Sequence, residues 1–459
     1  MSASRDPDRS LDAADVARWL EDAGVAAVAL GFVGPSAIVR VKAVPIGRFA
    51  QVAVAGVGLS TLFNASMSND RFALLPGYID GPSGDLRLRP DPAATVPLAG
   101  MPGWAWAPVD QYTQDGEPFA ACPRTFARRM AERYARRGLA VRAAFEFEFS
   151  VGGRREDGGF EPAHEGPGYS DIALVRNQGF ALDLVTSMET QGLGLQQFHP
   201  EYADGQFELS IEPRDPVAAA DAAMVVRQTV RSVAARHGWS VSFAPQVEAD
   251  TGNGTHLHLS LWEGGRNLLA GGDGPAGMED RGEAFAAGIL RELPALVAVA
   301  APTCLSYLRL QPHHWSGAMQ CWGTENREAS VRFIAGLTAA TAGAANLEIK
   351  PVDGTANPYL AVGAMLAAGL HGLEEEGRLP PSTEEDPTLL SDEVREERGV
   401  RQLPASLPEA AERLAASDVL REAMGDFAFE TFLATRRGEC EAYAGLDDDE
   451  LIRRLRWRY

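Results

Sequence analysis

Glu146 and Glu148 alternate with phenylalanines in residues 140–151, AVRAAFEFEFSV. Side chains alternate across a strand, so Ala143, Phe145, Phe147, Phe149 and Val151 share one face, and Arg142, Ala144, Glu146, Glu148 and Ser150 share the other. Carboxylates two residues apart on a strand have Cα atoms roughly 6–7 Å apart, close enough to repel unless a cation or a basic group lies between them. A single E-x-E is ordinarily an exposed amphipathic strand, but here the pattern recurs.

In residues 205–211, GQFELSI, Glu208 stands opposite the apolar set Phe207, Leu209 and Ile211, with Glu201 just upstream in FHPEYADG. In residues 254–261, GTHLHLSL, three leucines are opposed by His256, His258 and Ser260. In residues 347–351, LEIKP, Glu348 and Lys350 oppose Leu347 and Ile349. If these polar faces converge, Glu146, Glu148, Glu201, Glu208, His256 and Glu348 form an oxygen-rich basin with one imidazole, a donor set that suits Mg²⁺ or Mn²⁺. Arg309, Arg327 and Arg332 follow among aromatic and apolar residues. Their forked, permanently charged groups suit carboxylate or phosphate recognition, or else structural ion pairs.

The elements that must position these groups are read from the same chain of 459 residues. A first helix is expected over residues 13–23, capped by Ser10 or Asp12 and stopped by Gly24. Strands are expected over 26–32, 37–44 and 51–54, then a turn-rich stretch, with a boundary in TQDGEP at 113–118. Pro123 begins a helix that Gly138 ends just before the EFEF strand. Further helices are expected over 181–191, 217–237, 279–300 and 358–373, and in the tail from 408 to 459. The acidic stretch 374–387 reads as a solvated loop. This is an α+β pattern, divided into residues 1–114 and 115–459.

The 42 basic and 63 acidic side chains leave a net charge of −21, which argues against nucleic-acid and anionic-membrane partners. No phosphate-cradling loop of the P-loop or dinucleotide-binding kind is present, so a nucleotide must be held by metal ions and side chains. The four scattered cysteines form no metal or disulfide pattern, and the polar N-terminus has no signal peptide. Both point to a reducing, cytoplasmic setting.

The motifs FEFEF, HPEYADGQFEL, NGTHLHLSL, WGTENREASVR and LEIK…DGTANPYL, in this order, resemble the glutamine synthetase family, type I-like, over nearly the full length. The resemblance implies an N-terminal β-grasp domain and a catalytic domain whose curved antiparallel sheet, with flanking helices, forms half a funnel. It also implies ATP as co-substrate, about two or three Mg²⁺ or Mn²⁺ ions per site, and a ring homo-oligomer, a dodecamer of two hexamers, with sites shared between subunits. Glu148, Glu201 and Glu208 are then expected around one ion, and Glu146, His256 and Glu348 around another. His258 and Ser260 fall on the nucleotide side. Arg309 is expected to hold the α-carboxylate of glutamate, with Arg327 and Arg332 at the transferred phosphoryl group and ATP. Gly254, in the turn DTGNGTH, and Lys350, where the family has an arginine, are expected near the acid substrate.

Two departures bear on the amine. Ammonia-using members carry a glutamate where this chain has Trp315, and an aspartate near the position of Asn64. Loss of both carboxylates disfavours a small hydrated cation and favours a larger amine with an apolar or π-contacting part, unless Glu325 or Glu328 supplies an acid. His313 and His314 beside Trp315 are candidate general bases, His314 foremost. No counterpart of the tyrosine adenylylated in some bacterial members is evident. The expected activity is γ-glutamyl transfer to an organic amine, a polyamine, monoamine or aromatic amine. The alternatives are an ammonia-using glutamine synthetase and, more remotely, an inactive ring scaffold.

Overall fold

Phe145, Phe147, Phe149 and Val151 are each no more than 2% exposed, because the strand that carries them, Leu139–Arg154, lies at the centre of the larger of two sheets. The computed structural model describes residues 12–249, 251–336 and 343–459. Across the central part of that sheet the strand order is Met319–Thr324, Ala329–Ile334, Asn346–Ile349, Leu257–Glu263, Leu139–Arg154, Gln206–Ile211 and Leu195–Pro200. All neighbours in this run pair antiparallel except the first two, which are parallel. The four strands read from their alternation are therefore present. Their apolar faces join one core, where Leu257, Leu259, Leu347, Ile349, Phe207 and Leu209 are all buried.

Helices cover that apolar face. Pro123–Ala135 and Pro216–Arg236 pack on the central strand, and Pro358–Glu374 lies against both of them and against Asp280–Ala300. The last two helices approach at Gly288 and Gly372. A Cβ on Gly372 would lie 2.1 Å from the Ala284 carbonyl and 2.7 Å from the Gly288 Cα, so only hydrogen at both positions permits this backbone contact.

The first part of the chain forms a smaller sheet with strand order Val39–Pro45, Ala27–Val33, Trp104–Tyr112, Asp85–Pro90 and Val57–Ser60, plus the short strand Val96–Pro97. Helix Ala13–Asp22 is capped by the Asp12 side chain; Ser10, the other expected cap, lies outside the described residues. The strand expected over 51–54 is instead part of a helix, Phe49–Ala55. Phe49 and Val52, three residues apart, are its buried pair, while Val54 is 74% exposed. The valine-rich composition suggests a strand, but burial follows the helical period. In the stretch after the central strand, rich in Gly and Pro, Phe160–Pro162 pairs with it as a short strand.

Arg124, 4% exposed, ties the two parts together. It forms ion pairs with Asp91 at 2.7 Å, Asp110 at 3.2 Å and Asp221 at 2.8 Å, and Asp221 also accepts the Tyr359 hydroxyl at 2.7 Å. Removing one member of a buried charge network leaves the others uncompensated and typically costs about 3–5 kcal/mol. Arg124→Met is expected to lower unfolding free energy by about that amount in denaturant titrations. A loss below about 1 kcal/mol would mean that the aspartates are satisfied without it.

Candidate active site

On the polar face of the larger sheet lies a cavity of about 1170 Å³. Glu146, Glu148, Glu201, Glu208, His256 and Glu348 all line it, as do His258, Ser260, Arg309, His314, Trp315, Arg327, Arg332 and Lys350. Of the expected site residues only Gly254 is not on its wall. Gly254 sits behind it and donates its N–H to Glu148 Oε2 at 2.7 Å. A Cβ there would fall 2.5 Å from His256 Nε2 and 2.6 Å from Arg309 Nη2, so glycine is what lets these groups close on the chain. Asp250, the first residue of the same turn, lies outside the described residues.

Strand register sets the geometry. Glu208 pairs directly with Glu148 on one side and with His199 on the other, while Glu348 lies between His258 and Arg332. Like charges opposed in this way destabilise a sheet unless something neutralises them. The acidic groups gather into two clusters. In the first, His256 Nδ1 is 2.9 Å from Glu146 Oε1 and 3.1 Å from Glu348 Oε1, and Arg309 Nη2 is 3.0 Å from His256 Nε2. His258, expected on the nucleotide side, also turns toward this cluster. Glu146, His258 and Glu348 each offer a ligand atom within 4.8 Å of the others.

His258 donates its Nδ1–H to Asn346 Oδ1 at 2.9 Å. Its Nε2 is buried without a hydrogen-bond partner among the described residues and lies 3.8 Å from Glu146 Oε2. An imidazole fixed through one nitrogen, with the other unfilled beside carboxylates, is a suitable metal ligand. The donor set therefore fits a divalent cation.

The second cluster joins Glu201 and Glu208 with His199, again with ligand atoms within 4.8 Å of one another. His199 Nε2 is 3.2 Å from Glu208 Oε1. Glu148 stands between the clusters, its Oε1 3.7 Å from His256 Nε2. The expected set of Glu148, Glu201 and Glu208 is thus brought to one cavity, with His199 as an added neighbour.

The two clusters differ in charge. Burial works to raise the Glu146 carboxyl, but its hydrogen bond to His256 and the nearby imidazoles hold it down at about 2. Glu348 also falls well below the usual carboxylate range, because Lys350 and His256 outweigh burial. Glu208 is pushed up to about 7 by burial and by Glu146, Glu148 and Glu201, against the opposing His199 hydrogen bond. That same bond raises His199 to about 9. Burial and the neighbouring carboxylates thus dominate in the second cluster, whereas basic neighbours dominate in the first.

The basic groups are arranged unequally. Arg332 bridges Glu348 at 3.0 Å and Glu325 at 2.6 Å. Lys350 Nζ lies 3.0 Å from Glu348 Oε1 and is buried, so it faces that carboxylate as well as the cavity. Arg327 forms no ion pair among the described residues and rests 6.0 Å from the Trp315 ring. Ser260 accepts the Trp262 indole N–H at 2.8 Å. His313 is held by Asp386 at 3.3 Å, whereas His314 is exposed on the cavity wall. Glu328 accepts the Trp315 backbone N–H at 3.2 Å and is itself buried. Asn64 is buried and does not line the cavity.

Among the cavity residues that the sequence reading does not single out, three contact Glu201 or Glu208. His199 had a usable signal, since it lies two residues before Glu201. Tyr169, whose hydroxyl donates to Glu201, and Tyr202 had none beyond their proximity to that motif.

The sequence model for the glutamine synthetase catalytic domain matches residues 120–452. The chain belongs to the glutamine synthetase family. It is 46% identical over 440 residues to a gamma-glutamylpolyamine synthetase of Streptomyces coelicolor, covering 95% of this chain and 94% of that protein. It is 33% identical over 368 residues to the glutamine synthetase of Thermotoga maritima, covering 78% and 82%. Among solved structures, a novel glutamine synthase homolog superposes with a TM-score of 0.84 at 35% identity, covering 95% of this chain and 99% of that one. A GmaS/ADP complex superposes with a TM-score of 0.81 at 30% identity, covering 95% and 98%. The enzyme is thus an ATP-dependent ligase, and enzymes of this family use divalent metal ions. No helix among its described residues is long and apolar enough to cross a membrane.

A cation entering the second cluster must displace the proton that Glu208 holds below about pH 7. Mn²⁺ affinity measured by calorimetry is expected to rise about tenfold from about pH 6 to about pH 8. An affinity that does not change with pH would contradict this assignment.

Proposed function

We propose that this ligase phosphorylates the γ-carboxylate of glutamate with ATP and passes the γ-glutamyl group to an organic amine, with polyamines as the acceptor class. The observation that carries this reading is the half-exposed Trp315 ring on the wall of the carboxylate cavity, at the position where ammonia-using members have a glutamate. The extensive identity to a gamma-glutamylpolyamine synthetase supports the same acceptor class. An aromatic surface favours a long cationic chain over a small hydrated ammonium.

In this reading Glu148, Glu201 and Glu208 hold one divalent ion and Glu146, His256 and Glu348 another, with Mg²⁺ or Mn²⁺ the fitting hard cations. Bound there, such ions would neutralise the phosphate oxygens of ATP. Arg309, next to His256 and buried, holds the glutamate α-carboxylate beside Gly254. Arg327, free of carboxylate partners among the described residues, offsets charge on the transferred phosphoryl group, and Arg332 assists at the nucleotide. Ser260 lines the nucleotide side. Lys350 positions Glu348 and, as a point charge, lies near the acid substrate. His314 takes the proton from the attacking ammonium; His313, tied to Asp386, is less free to do so. His258 is placed with the metal ligands, on the strength of its unfilled Nε2.

The division into an N-terminal β-grasp domain, residues 1–114, and a catalytic domain, residues 115–459, accords with the two sheets. A dodecameric ring and a cytoplasmic location complete the proposal, the latter supported by four free cysteines.

Phosphate release with ATP and glutamate, measured across ammonia, monoamines and polyamines, tests the acceptor. A polyamine is expected to give the highest kcat/KM, and ammonia in that place would overturn the reading. For His314→Ala, loss of amide product is expected while glutamate-dependent phosphate release persists; equal loss of both would remove His314 as the base. His258→Ala is expected to weaken Mn²⁺ binding without nucleotide by about tenfold or more. An effect confined to the KM for ATP would return His258 to the nucleotide side.

A further inference from the structure

Residues 311–316, QPHHWS, form the loop that carries His314 and Trp315 on the cavity wall. His314 is exposed and its side chain makes no hydrogen bond or ion pair among the described residues, so nothing there holds its ring directly. Its direction is set by its two neighbours. Both occupy left-handed backbone, with φ of 65° at His313 and 50° at Trp315. Side chains of that size rarely adopt this conformation, and it persists where contacts from outside impose it.

Those contacts come from behind the wall. Glu328, buried and not on the cavity surface, accepts the Trp315 backbone N–H at 3.2 Å. His313 Nδ1 lies 3.3 Å from Asp386 Oδ2, and its Nε2 lies 3.4 Å from Thr388 Oγ1. Asp386 is itself fixed, because it caps the single helical turn Pro387–Leu389. Its Oδ1 accepts the Thr388 backbone N–H at 2.8 Å and the Thr388 hydroxyl at 2.6 Å. The ends of the loop are closed by Ser316, whose hydroxyl donates to the Gln311 carbonyl at 3.0 Å.

The segment that holds His313 also grips the loop carrying Arg327. Thr383 is buried, and its N–H donates to the Trp322 carbonyl at 2.9 Å. Asn326, immediately before Arg327, donates through Nδ2 to the carbonyls of Thr383 at 2.7 Å and Glu385 at 2.9 Å. A Cβ on Gly323 would fall 2.0 Å from the Thr383 carbonyl oxygen, so glycine is what lets the two chains lie this close. Residues 383–388 therefore touch the turn before Arg327 at one end and the residue before His314 at the other. Part of the stretch that the sequence suggests is a solvated loop is built into the wall as a strap.

We infer that Asp386 is a positioning residue for amide formation: through His313 it sets the direction of His314, and through the strap it keeps His314 in register with Arg327. The inference rests on the reading of His314 as the base and adds the group that orients it. The His313 side chain is 62% exposed, so its contact with Asp386 contributes little to overall stability. Its consequence is local. A proton acceptor must lie within hydrogen-bonding reach of the attacking ammonium, and a small displacement costs rate.

Two readouts separate this role from a general one: phosphate released with ATP and glutamate alone, and amide formed with butane-1,4-diamine. For Asp386→Ala, kcat for amide formation is expected to fall about tenfold, while phosphate release without amine and the KM for ATP stay at wild-type values. Asp386→Asn, which keeps an acceptor oxygen, is expected to restore most of the rate. In a His314→Ala background, Asp386→Ala is expected to cost nothing further, because the residue it orients is gone. Thr388→Val, which removes the hydroxyl that Asp386 accepts, serves if the alanine variant does not fold and is expected to lower amide formation in the same selective way.

Equal loss in both readouts, no loss in Asp386→Ala, or losses that add in the double variant overturn the inference. If His314→Ala itself leaves amide formation intact, the assignment of the base fails and the inference with it. If His314→Ala abolishes amide formation and Asp386→Ala does not reduce it, only the positioning role is wrong.

Discussion

Glu148 and Glu208 face each other directly across two antiparallel strands, and like charges in that register repel. The rest of the site can be understood as the means of tolerating this opposition. The central strand buries three phenylalanines on its other face, which fixes the direction in which Glu146 and Glu148 must point. Neighbouring strands then supply His199 opposite Glu208 and His258 opposite Glu348. The protein's own cations settle one cluster, where Lys350 and His256 keep Glu348 ionised. They offset the other less fully: burial first, and then the neighbouring carboxylates, push Glu208 up to about 7 against the opposing His199 hydrogen bond. A divalent ion is the natural complement of that deficit.

Period-two alternation made the four strands and five of the six ligand candidates legible, Glu201 being read from its place just upstream of one of them, because a strand with one buried face has only one place for its polar side chains. Local pattern was less informative where burial followed another period. Residues 51–54 look like a strand in composition, yet Phe49 and Val52 bury one side of a helix. The site residues missed were those placed by tertiary contact. His199 becomes significant through its register with Glu208, and Tyr169 is brought to Glu201 from a glycine-rich loop whose length and path no local rule specifies. His258 was legible as a cavity residue, but its company was not. The hydrogen bond from its Nδ1 to Asn346, which frees Nε2 toward Glu146, depends on a neighbouring strand.

The chemistry divides along the cavity wall. Glu146, Glu148, Glu208, Glu348, His199, His258 and Arg332 occupy the sheet, whereas Arg309, Arg327, His314 and Trp315 come from the segments leading into and between its outer strands. The rigid sheet thus carries the part of the site that must hold fixed charge. The loops carry the part facing the acceptor, where members of one family can differ without disturbing the core. Gly254 links the two parts, since its missing side chain lets Arg309 reach His256.

The central claim is that these acidic side chains, drawn from distant parts of the chain, gather around paired divalent ions. Electron paramagnetic resonance of the Mn²⁺-loaded protein tests it most directly. The account predicts magnetically coupled Mn²⁺ pairs, with the coupling lost when Glu148, which stands between the clusters, is replaced by glutamine. Isolated, uncoupled Mn²⁺ that is indifferent to Glu148→Gln would contradict it.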